Sequence, residues 1–276
     1  CPYDFRPYYL FVLYSKRMKY LIKHSEMDLL ELSKDAVICA FNKLIELDKQ
    51  GVKQYVFSDE IPKEVKARAD TIIEKILINK LLVSGLSILS EESGLSKAES
   101  NSTLRFVIDP IDGTVNFVRG ISNCSISVAL FDGDLPVFGV LASYPSGTIA
   151  WGGNKIGAFI DNLEIKVSSI DNSEKGILCT GFPSRFRFNS ESIFRQMNLM
   201  SEFSKVRMLG SASQSLLQVA QGSAEVYAET DIMVWDVAAG LAIVEGAGGI
   251  FSTSPGSCEY ALDVIASNGL IDNIGD

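Results

Sequence analysis

The sequence has very few of the residues that most enzymes use for acid–base or nucleophilic chemistry. It contains a single histidine, His24, so a site built from several imidazoles is excluded, and we assign His24 no role. It also contains no Cys-x-x-Cys pair, no Gly-x-Ser-x-Gly elbow and no Gly-x-x-x-x-Gly-Lys loop. These absences exclude the motif-defined zinc knot, the hydrolase nucleophile elbow and the P-loop.

Positive charge, cysteine and long apolar runs are also sparse. There are 25 Lys and Arg residues against 34 Asp and Glu residues, and the net charge is −9. No basic stripe of the kind that binds nucleic acid is present. The five cysteines are widely spaced, which predicts free thiols in a reducing compartment. No apolar run approaches the roughly 20 residues of a membrane helix. We therefore expect a cytoplasmic protein without a nucleic-acid partner or a membrane anchor.

The start of the sequence differs from the rest. Residues 1–17 are rich in aromatic side chains, and the first residue is not methionine. The segment lacks the basic start and the small-residue cleavage site of a signal peptide. Met18 is therefore a candidate start, which would make residues 1–17 an upstream extension; the alternative is a hydrophobic docking arm. We treat residues 1–26 as an N-terminal extension.

Hydrophobic periodicity predicts the secondary structure of the remainder. Apolar residues at three- and four-residue steps predict helices over about 27–48 and 63–82, with a mobile polar loop over 49–59 between them. Residues 124–130 alternate in polarity like a half-buried strand. Further strands at 137–141 and 148–151, separated by short Gly and Pro turns, predict an antiparallel meander.

Beyond about residue 165, strands alternate with helices. Strands are predicted at 176–180 and 224–228, and helices at 190–203, 211–222 and around 237–244. This change of pattern predicts two stacked layers of different topology. We expect an N-terminal α+β domain over 27–164 and a C-terminal α/β domain over 165–276.

The densest group of chemically useful side chains follows the apolar run 106–108. It reads Asp109-Pro110-Ile111-Asp112-Gly113-Thr114. Carboxylates this close repel unless a cation or a proton lies between them, and hard oxygen ligands favour magnesium, calcium or manganese. Gly113 and Thr114 head a segment that can begin a helix, whose free N–H groups would face a phosphate. The alternatives are an ordinary turn and a threonine that caps its own helix.

Two further acids are candidate ligands of the same cations. Glu91 lies at a predicted strand end after residues 88–89, and Asp236 opens the last predicted helix. Taken singly, Glu91 fits a solvated acidic loop and Asp236 fits a helix N-cap. One joint explanation covers both and the 109–114 segment: divalent cations bridge the carboxylates, bind a phosphate and activate a water for in-line attack.

These residues resemble the signatures of the inositol monophosphatase family of metal-dependent, lithium-sensitive phosphatases. The matching motifs are Glu91-Glu92-Ser93, Asp109 to Thr114 with Asn116 and Phe117, and Trp235-Asp236 with Ala239. The resemblance runs from about residue 27 to the end. It implies a mixed α+β or α/β fold, the layered α-β-α-β-α sandwich of inositol monophosphatases and sugar phosphatases, which is usually a homodimer.

The resemblance also implies roles for single residues. Two or three magnesium ions would bind at each site, with the ligands Glu91, Asp109, Ile111 (through its carbonyl), Asp112 and Asp236. Thr114 and Glu91 would position and deprotonate the attacking water, and Asp70 would support that water and a weaker third magnesium. The implied substrate-binding residues are Asp112, Gly113, Thr114, Gly210, Ser211, Ala212 and Glu229.

Several positions depart from the usual pattern of the family. Residues 66–69 lack a threonine before Asp70, residues 119–122 lack a proline, and Ser213 replaces an alanine. Thr230 and Asp231 replace small apolar residues after Glu229. No metal ligand is lost, but these differences weaken the case for myo-inositol phosphate as the substrate.

The leading hypothesis is a magnesium-dependent phosphomonoesterase for a small polyol or sugar phosphate. A 3′(2′),5′-bisphosphate nucleotidase is the alternative, although Val115 and Asn116 favour the inositol-like branch. Histidinol phosphate and fructose bisphosphate stay open because the same metal core serves them. A non-catalytic regulatory role is a hypothesis of another class, with Arg185-Phe186-Arg187 as a candidate contact for a protein partner.

Overall fold

The computed structural model describes residues 25–57, 65–98, 102–271 and 274. His24, the candidate start Met18 and the extension over residues 1–17 lie outside the described residues. The described helices are α1 (Glu26–Lys49), α2 (Arg68–Leu81), α3 (Thr114–Arg119), α4 (Ser190–Ser201), α5 (Ala212–Ala220) and α6 (Val234–Gly246).

Two sheets contain most of the strands. The N-terminal strands are β1 (Tyr55–Phe57), β2 (Val65–Ala67), β3 (Ser87–Ser90), β4 (Gly94–Ser96), β5 (Leu104–Asp112), β6 (Cys124–Asp132), β7 (Leu135–Tyr144), β8 (Ile149–Gly153), β9 (Gly157–Ile160) and β10 (Leu163–Glu164). The C-terminal strands are β11 (Ile177–Thr180), β12 (Lys205–Arg207), β13 (Val226–Met233), β14 (Ile250–Pro255) and β15 (Ala261–Ser267).

The topology of the large sheet confirms the predicted meander. Its order is β10-β9-β8-β7-β6-β5-β3-β4, and consecutive strands from β5 to β10 pair antiparallel. Only the β3–β5 pair in this sheet is parallel. The second sheet has the order β12-β11-β13-β15-β14, in which β11 is parallel to both of its neighbours. The two layers therefore differ in topology, as the sequence pattern predicted.

Alternate faces of each strand supply separate cores, because side chains of a strand point to opposite sides of the sheet. The large sheet packs on α1 and α2 with one face and on α5 and α6 with the other. The small sheet also packs on α5 and α6, and α4 covers its outer face. Representative residues of the three cores are Leu44, Ile73 and Phe106; Val107, Leu216 and Val237; and Leu178, Leu199 and Val226. The α-β-α-β-α order of layers is confirmed.

The prediction for residues 49–82 was partly wrong. Helix α1 has the predicted extent, but α2 begins at Arg68 rather than at residue 63. Residues 65–67, which were predicted to be helical, form β2. This strand pairs with β1, which lies inside the segment 49–59 that was predicted to be a loop. Asp70 accounts for the late start, because its Oδ2 accepts the Ala67 N–H at 2.7 Å and so ends the extended chain there.

Strand β6 is buried on both faces, whereas the sequence predicted a half-buried strand. Residues 124–131 are all buried, and their small polar side chains face the layer of α5 and α6 rather than solvent. Ser125 and Ser213, for example, are in hydrogen-bond contact across this interface. A sequence cannot distinguish a buried serine from a solvated one, since only the neighbouring layer decides which it is.

Helix α6 forms the middle of the molecule. Apart from Asp236 and Glu245, its residues are apolar or glycine, and most are buried between the two sheets. The approach to β7 is so close that a Cβ on Gly139 would lie 2.2 Å from the carbonyl oxygen of Ala239. This packing holds the first turn of α6 against the end of β5. In the described part of the chain, no helix combines the length and the apolarity needed to cross a membrane.

Candidate active site

A bulge in β5 brings the two acids of the 109–114 segment to one side of the sheet. Residues three apart on a regular strand face opposite sides. The register with β6 shifts between Asp109 and Asp112, which lie opposite Ser127 and Ser125. The N–H of Ile111 donates to Asp109 Oδ1 at 2.9 Å and holds the bulge. The strand thus continues through Asp112, beyond the apolar run 106–108.

A third carboxylate reaches this bulge from α6. Ligand atoms of Asp109, Asp112 and Asp236 all lie within 4.8 Å of one another. Asp236 is the third residue of the helix and accepts the N–H of Met233 at 3.3 Å. The interpretation of Asp236 as the N-cap was therefore wrong by position, since Met233 is the capping residue. The carboxylate of Asp236 lies beside those of Asp109 and Asp112.

The start of α5 holds Asp112 in place. Its carboxylate accepts the Ser211 hydroxyl at 2.6 Å, the Ser213 N–H at 2.7 Å and the Ala212 N–H at 3.3 Å. The hydroxyl of Ser213 also donates to it. Ser211 and Ala212, which the resemblance assigned to the substrate, thus contact Asp112. Helix N-terminal N–H groups favour a negative charge, so these contacts stabilise the ionised carboxylate.

The donor set fits a hard divalent cation. Oδ2 of Asp109 is buried and accepts no hydrogen bond from any described residue. A carboxylate oxygen in such a position is unfavourable unless a cation satisfies it. Burial first, and then the neighbouring carboxylates, raise the pKa values of Glu91, Asp109 and Asp236 well above the ordinary range. Oxygen ligands of this kind suit magnesium, calcium or manganese.

Thr114 and Asp70 lie beside the carboxylate cluster. The Thr114 hydroxyl donates to the Ile111 carbonyl at 3.0 Å and lies 3.4 Å from Asp70 Oδ1. Thr114 does not cap its own helix: the N-cap of α3 is Gly113, with φ of 88°. A Cβ at Gly113 would lie 3.1 Å from the carbonyl oxygens of Asn123 and Gly210. Glycine is thus required both by the backbone angle and by the crowding. Burial raises the pKa of Asp70 to about 7.

A cavity of about 190 Å³ lies over these groups. The predicted site residues that line it are Glu91, Asp109, Ile111, Asp112, Gly113, Thr114, Gly210 and Asp236. The other predicted site residues, Asp70, Ser211, Ala212 and Glu229, are not part of this lining. Sequence reasoning missed Arg185 as a lining residue. The sequence had suggested Arg185 only as a contact for a protein partner, because its place in the cavity depends on the path of the loop between β11 and α4.

Glu229 lies on β13 behind the cavity. The hydroxyl of Tyr227 donates to its Oε2 at 2.8 Å. A Cβ at Gly181 would come within 1.8 Å of its Oε1, so only glycine leaves room for this carboxyl group. Burial raises the pKa of Glu229 to about 7. It can therefore donate or accept a hydrogen bond near neutral pH.

Asn116 connects α3 to the loop before α5. Its Nδ2 donates to the carbonyl oxygens of Asn123 and Leu209, each at 2.7 Å. The sequence motif contained Asn116 but gave no role to its side chain. The contact fixes Gly210 against the N-terminus of α3 and so shapes the rim of the cavity.

The model of the inositol monophosphatase family matches residues 30–274. The chain belongs to the inositol monophosphatase family. This confirms the resemblance found in the motifs, and it accounts for the carboxylate cluster, since the family consists of metal-dependent phosphatases that act on small phosphorylated molecules.

Individual members of the inositol monophosphatase family show the same likeness. An inositol-1-monophosphatase of Mesorhizobium japonicum is 32% identical over 216 residues, which cover 76% of this chain and 80% of the relative. A Nus factor SuhB of Xylella fastidiosa is 33% identical over 197 residues, 70% of each chain.

Solved structures of the family share the fold. The extragenic suppressor protein suhB from Bartonella henselae matches with a TM-score of 0.78 and 28% identity, over 87% of this chain and 94% of that one. An inositol monophosphatase from Anabaena (Nostoc) matches with a TM-score of 0.73 and 27% identity, over 87% and 90% of the two chains.

Proposed function

We propose that the protein is a magnesium-dependent phosphomonoesterase acting on a small polyol or sugar phosphate. The observation that carries this proposal is the meeting of Asp109, Asp112 and Asp236, whose ligand atoms lie within 4.8 Å of one another. A site built of buried carboxylates is suited to cations and, through them, to a phosphate group.

The first magnesium would be held by Glu91, Asp109 and the carbonyl oxygen of Ile111, and the second by Asp109, Asp112 and Asp236. When bound, magnesium supplies positive charge that stabilises the phosphate oxygens and lowers the pKa of water. The hydrogen bonds from Ser211 and Ser213 keep Asp112 turned toward the cluster. Asp70 would support a third, weaker ion.

Other residues would orient the phosphate and the water. Gly113 and Thr114 line the cavity at the start of α3, where their N–H groups would donate to phosphate oxygens. The hydroxyl of Thr114, between Ile111 and Asp70, is placed to hold a water. Asp70, whose Oδ1 lies 3.4 Å from the Thr114 hydroxyl, would support that water as it transfers a proton. Glu91 would assist in the same transfer.

The substrate's hydroxyl groups would be bound on the far side of the cavity. Gly210 and Asp231 line it there, with Ser211, Ala212 and Glu229 behind them. Acidic groups at this position favour a neutral, hydroxyl-bearing body such as a polyol or a sugar. This arrangement supports the substrate class rather than one particular compound.

A 3′(2′),5′-bisphosphate nucleotidase and a non-catalytic regulatory role are the two alternatives. The regulatory alternative draws on relatives named Nus factor SuhB, one of which is 33% identical to this chain. A variant without the metal site separates the two kinds of function. If Asp109→Asn removes hydrolysis but a cellular phenotype persists, the phenotype is regulatory.

A phosphate-release assay tests the proposal. The full chain would be assayed with magnesium on inositol 1-phosphate, adenosine 3′,5′-bisphosphate, fructose 1,6-bisphosphate and histidinol phosphate. We expect release from a polyol or sugar phosphate, inhibition by lithium and no release in EDTA. Asp109→Asn should abolish release, while Asp35→Asn, at an exposed residue of α1, should not. Absence of release from all four compounds would contradict the proposal.

We also propose a homodimer in the cytoplasm. An apolar surface around α4, here called the α4 patch, consists of Phe182, Phe188, Ile193, Phe194 and Met197. Phe194 and Met197 are 66% and 62% exposed, and clustered apolar exposure of this kind is typical of an interface. The four described cysteines are free thiols, which suits a reducing compartment.

A further inference from the structure

A buried carboxylate on α2 lies behind the turn that carries Glu91. Glu74 follows Asp70 by four residues, so the two side chains leave the helix on the same face. Glu74 is only 5% exposed, and no lysine or arginine among the described residues forms an ion pair with it. A buried carboxylate without a cation has to be satisfied by hydrogen-bond donors.

The donors that satisfy Glu74 come from both ends of one turn. Its Oε1 accepts the Ser90 hydroxyl at 2.5 Å, the Ser93 N–H at 3.0 Å and the Ser93 hydroxyl at 2.8 Å. Ser90 is the last residue of β3 and pairs with Gly94, the first residue of β4. Residues 91–93 connect these strands, so a single oxygen atom of Glu74 holds both ends of the connection. Hydrogen bonds to a carboxylate are stronger than those between neutral groups.

This turn carries the candidate metal ligand Glu91. Ser90 lies opposite Ile108 in the parallel pair of β3 and β5, so the turn begins beside Asp109. Glu91 lines the cavity together with Asp109 and Asp236, and carboxylates that share a small cavity repel one another. The Glu91 N–H reaches the Ile108 carbonyl only at a long 3.4 Å. The position of Glu91 therefore needs a further restraint.

An ion pair on the outside of the turn adds little. Lys66 of β2 lies 3.3 Å from Oε2 of Glu92, and the Lys66 side chain is 44% exposed. Exposed ion pairs contribute little to stability because solvent screens them. The buried hydrogen bonds to Glu74 are therefore the contacts that fix the turn.

We propose that Glu74 is a positioning residue of the metal site: by holding Ser90 and Ser93, it sets the direction in which Glu91 presents its carboxylate to the first magnesium. Glu74 itself would touch neither the ion nor the substrate. The inference rests on the proposed function for the identity of the ion, and it gives a role to a residue that the sequence motifs left without one. Groups that hold a metal ligand in place typically change metal affinity by about ten- to a hundred-fold when they are removed.

Magnesium affinity tests this role directly. Calorimetric titration of the full chain with magnesium gives the Kd and the stoichiometry of the first ion to bind. We expect Glu74→Gln, which keeps the shape of the side chain, to raise this Kd about ten-fold at unchanged stoichiometry. In the phosphate-release assay, the magnesium concentration that gives half-maximal activity should rise by the same factor, while kcat at saturating magnesium stays within about two-fold of the wild type.

Further variants separate positioning from charge. Ser93→Ala keeps the charge of Glu74 and removes one of its donors, so we expect a smaller rise in the Kd, about three-fold. In the double variant the two rises should not multiply, because both changes act through one contact. Glu74→Asp keeps the charge but is one methylene shorter, and its Kd should be as high as that of Glu74→Gln. Glu31→Gln, at an exposed residue of α1, is the control and should leave the Kd unchanged.

Three results would overturn the inference. The first is a wild-type Kd in Glu74→Gln. The second is a raised Kd in Glu74→Gln beside wild-type values in Glu74→Asp and Ser93→Ala, which would show an effect of charge alone. The third is a lower stoichiometry at an unchanged Kd, which would show a purely structural role. If Glu74→Gln does not fold, Ser93→Ala decides: a raised Kd supports the inference and a wild-type Kd overturns it.

Failure of the proposed function gives a different result. If the wild type binds magnesium but releases phosphate from none of the four compounds of the phosphate-release assay, the phosphatase proposal fails. The magnesium titrations of the wild type and the variants then still decide the role of Glu74, because they do not depend on hydrolysis.

Discussion

At the residue scale, the carboxylates of the site are held in an arrangement that is unfavourable without a cation. Asp109 is 1% exposed, and its Oδ2 has no hydrogen-bond donor among the described residues. Asp112, by contrast, accepts several hydrogen bonds from the start of α5. Burial, and then repulsion from Glu91, Asp236 and Asp112, raises the pKa of Asp109 well above its ordinary range.

Asp109→Asn should make the metal-free protein more stable. The substitution removes a buried charge that faces other carboxylates, and we expect a gain of about 2 kcal/mol in the free energy of unfolding in EDTA. Magnesium at about a hundred times its Kd should stabilise the wild type by about 2.7 kcal/mol and the variant much less. Urea unfolding with and without magnesium measures both effects. A variant that is less stable in EDTA yet responds fully to magnesium would contradict the assignment.

Glu229 should make the stability of the metal-free protein depend on pH. Burial raises its pKa from 4.5 to about 7. Between these values the folded protein keeps a proton that the unfolded chain releases, so stability falls as the pH rises and levels off above about 7.

Glu229→Gln tests this dependence. Relative to the wild type, the variant should gain about 3 kcal/mol between pH 4.5 and pH 7.5. Urea unfolding in EDTA at the two pH values gives the difference, with Glu174→Gln, at an exposed residue, as the control. A difference that is independent of pH would show that Glu229 does not titrate in this window.

At the element scale, two bulged strands and one buried helix make the site. The register shift in β5 turns Asp109 and Asp112 to one side, and a shift between Glu229 and Ile232 bends β13 toward the cavity. Helix α6 then brings Asp236 to the same point. The contact between Gly139 on β7 and Ala239 on α6 is what allows this close approach.

Gly139→Ala should therefore be strongly destabilising. The new Cβ would lie 2.2 Å from a backbone oxygen of α6, and we expect a loss of about 3 kcal/mol because neither backbone can move freely. Gly133→Ala is the matched control: its Cβ meets nothing within 4 Å, although φ is 58°, so about 1 kcal/mol is expected. Thermal unfolding of both variants measures the contrast. Equal losses of stability in the two variants would mean that α6 can shift to make room for the new Cβ.

At the scale of the whole molecule, the α4 patch is an apolar surface that the described fold leaves exposed. Phe194→Glu, in the middle of the patch, should convert the proposed dimer to a monomer, because a charge replaces a side chain that is 66% exposed in the single chain. Leu163→Glu, at a residue that is 74% exposed on β10, should leave the dimer intact. Sedimentation velocity distinguishes the two. A wild-type monomer at micromolar concentration would refute the dimer.

Much of the fold was predictable because its signals are local. The period of apolar residues in α1 and the Gly and Pro turns of the meander reflect contacts within a short stretch of chain. The start of α2 was not predictable, because β2 exists only through its pairing with β1. The burial of β6 on both faces was missed for a similar reason, since it depends on a layer formed by the C-terminal half.

The sequence by itself determined the chemistry of the site: carboxylates at Asp109, Asp112 and Asp236, a glycine before a helix start, and the family to which they belong. These are properties of residue type and short spacing. Only the tertiary structure decided that Asp236 meets the β5 bulge, that Ser211 supports Asp112, and that Arg185 lines the cavity. Such meetings arise from the packing of α6 between two sheets, which no local pattern encodes.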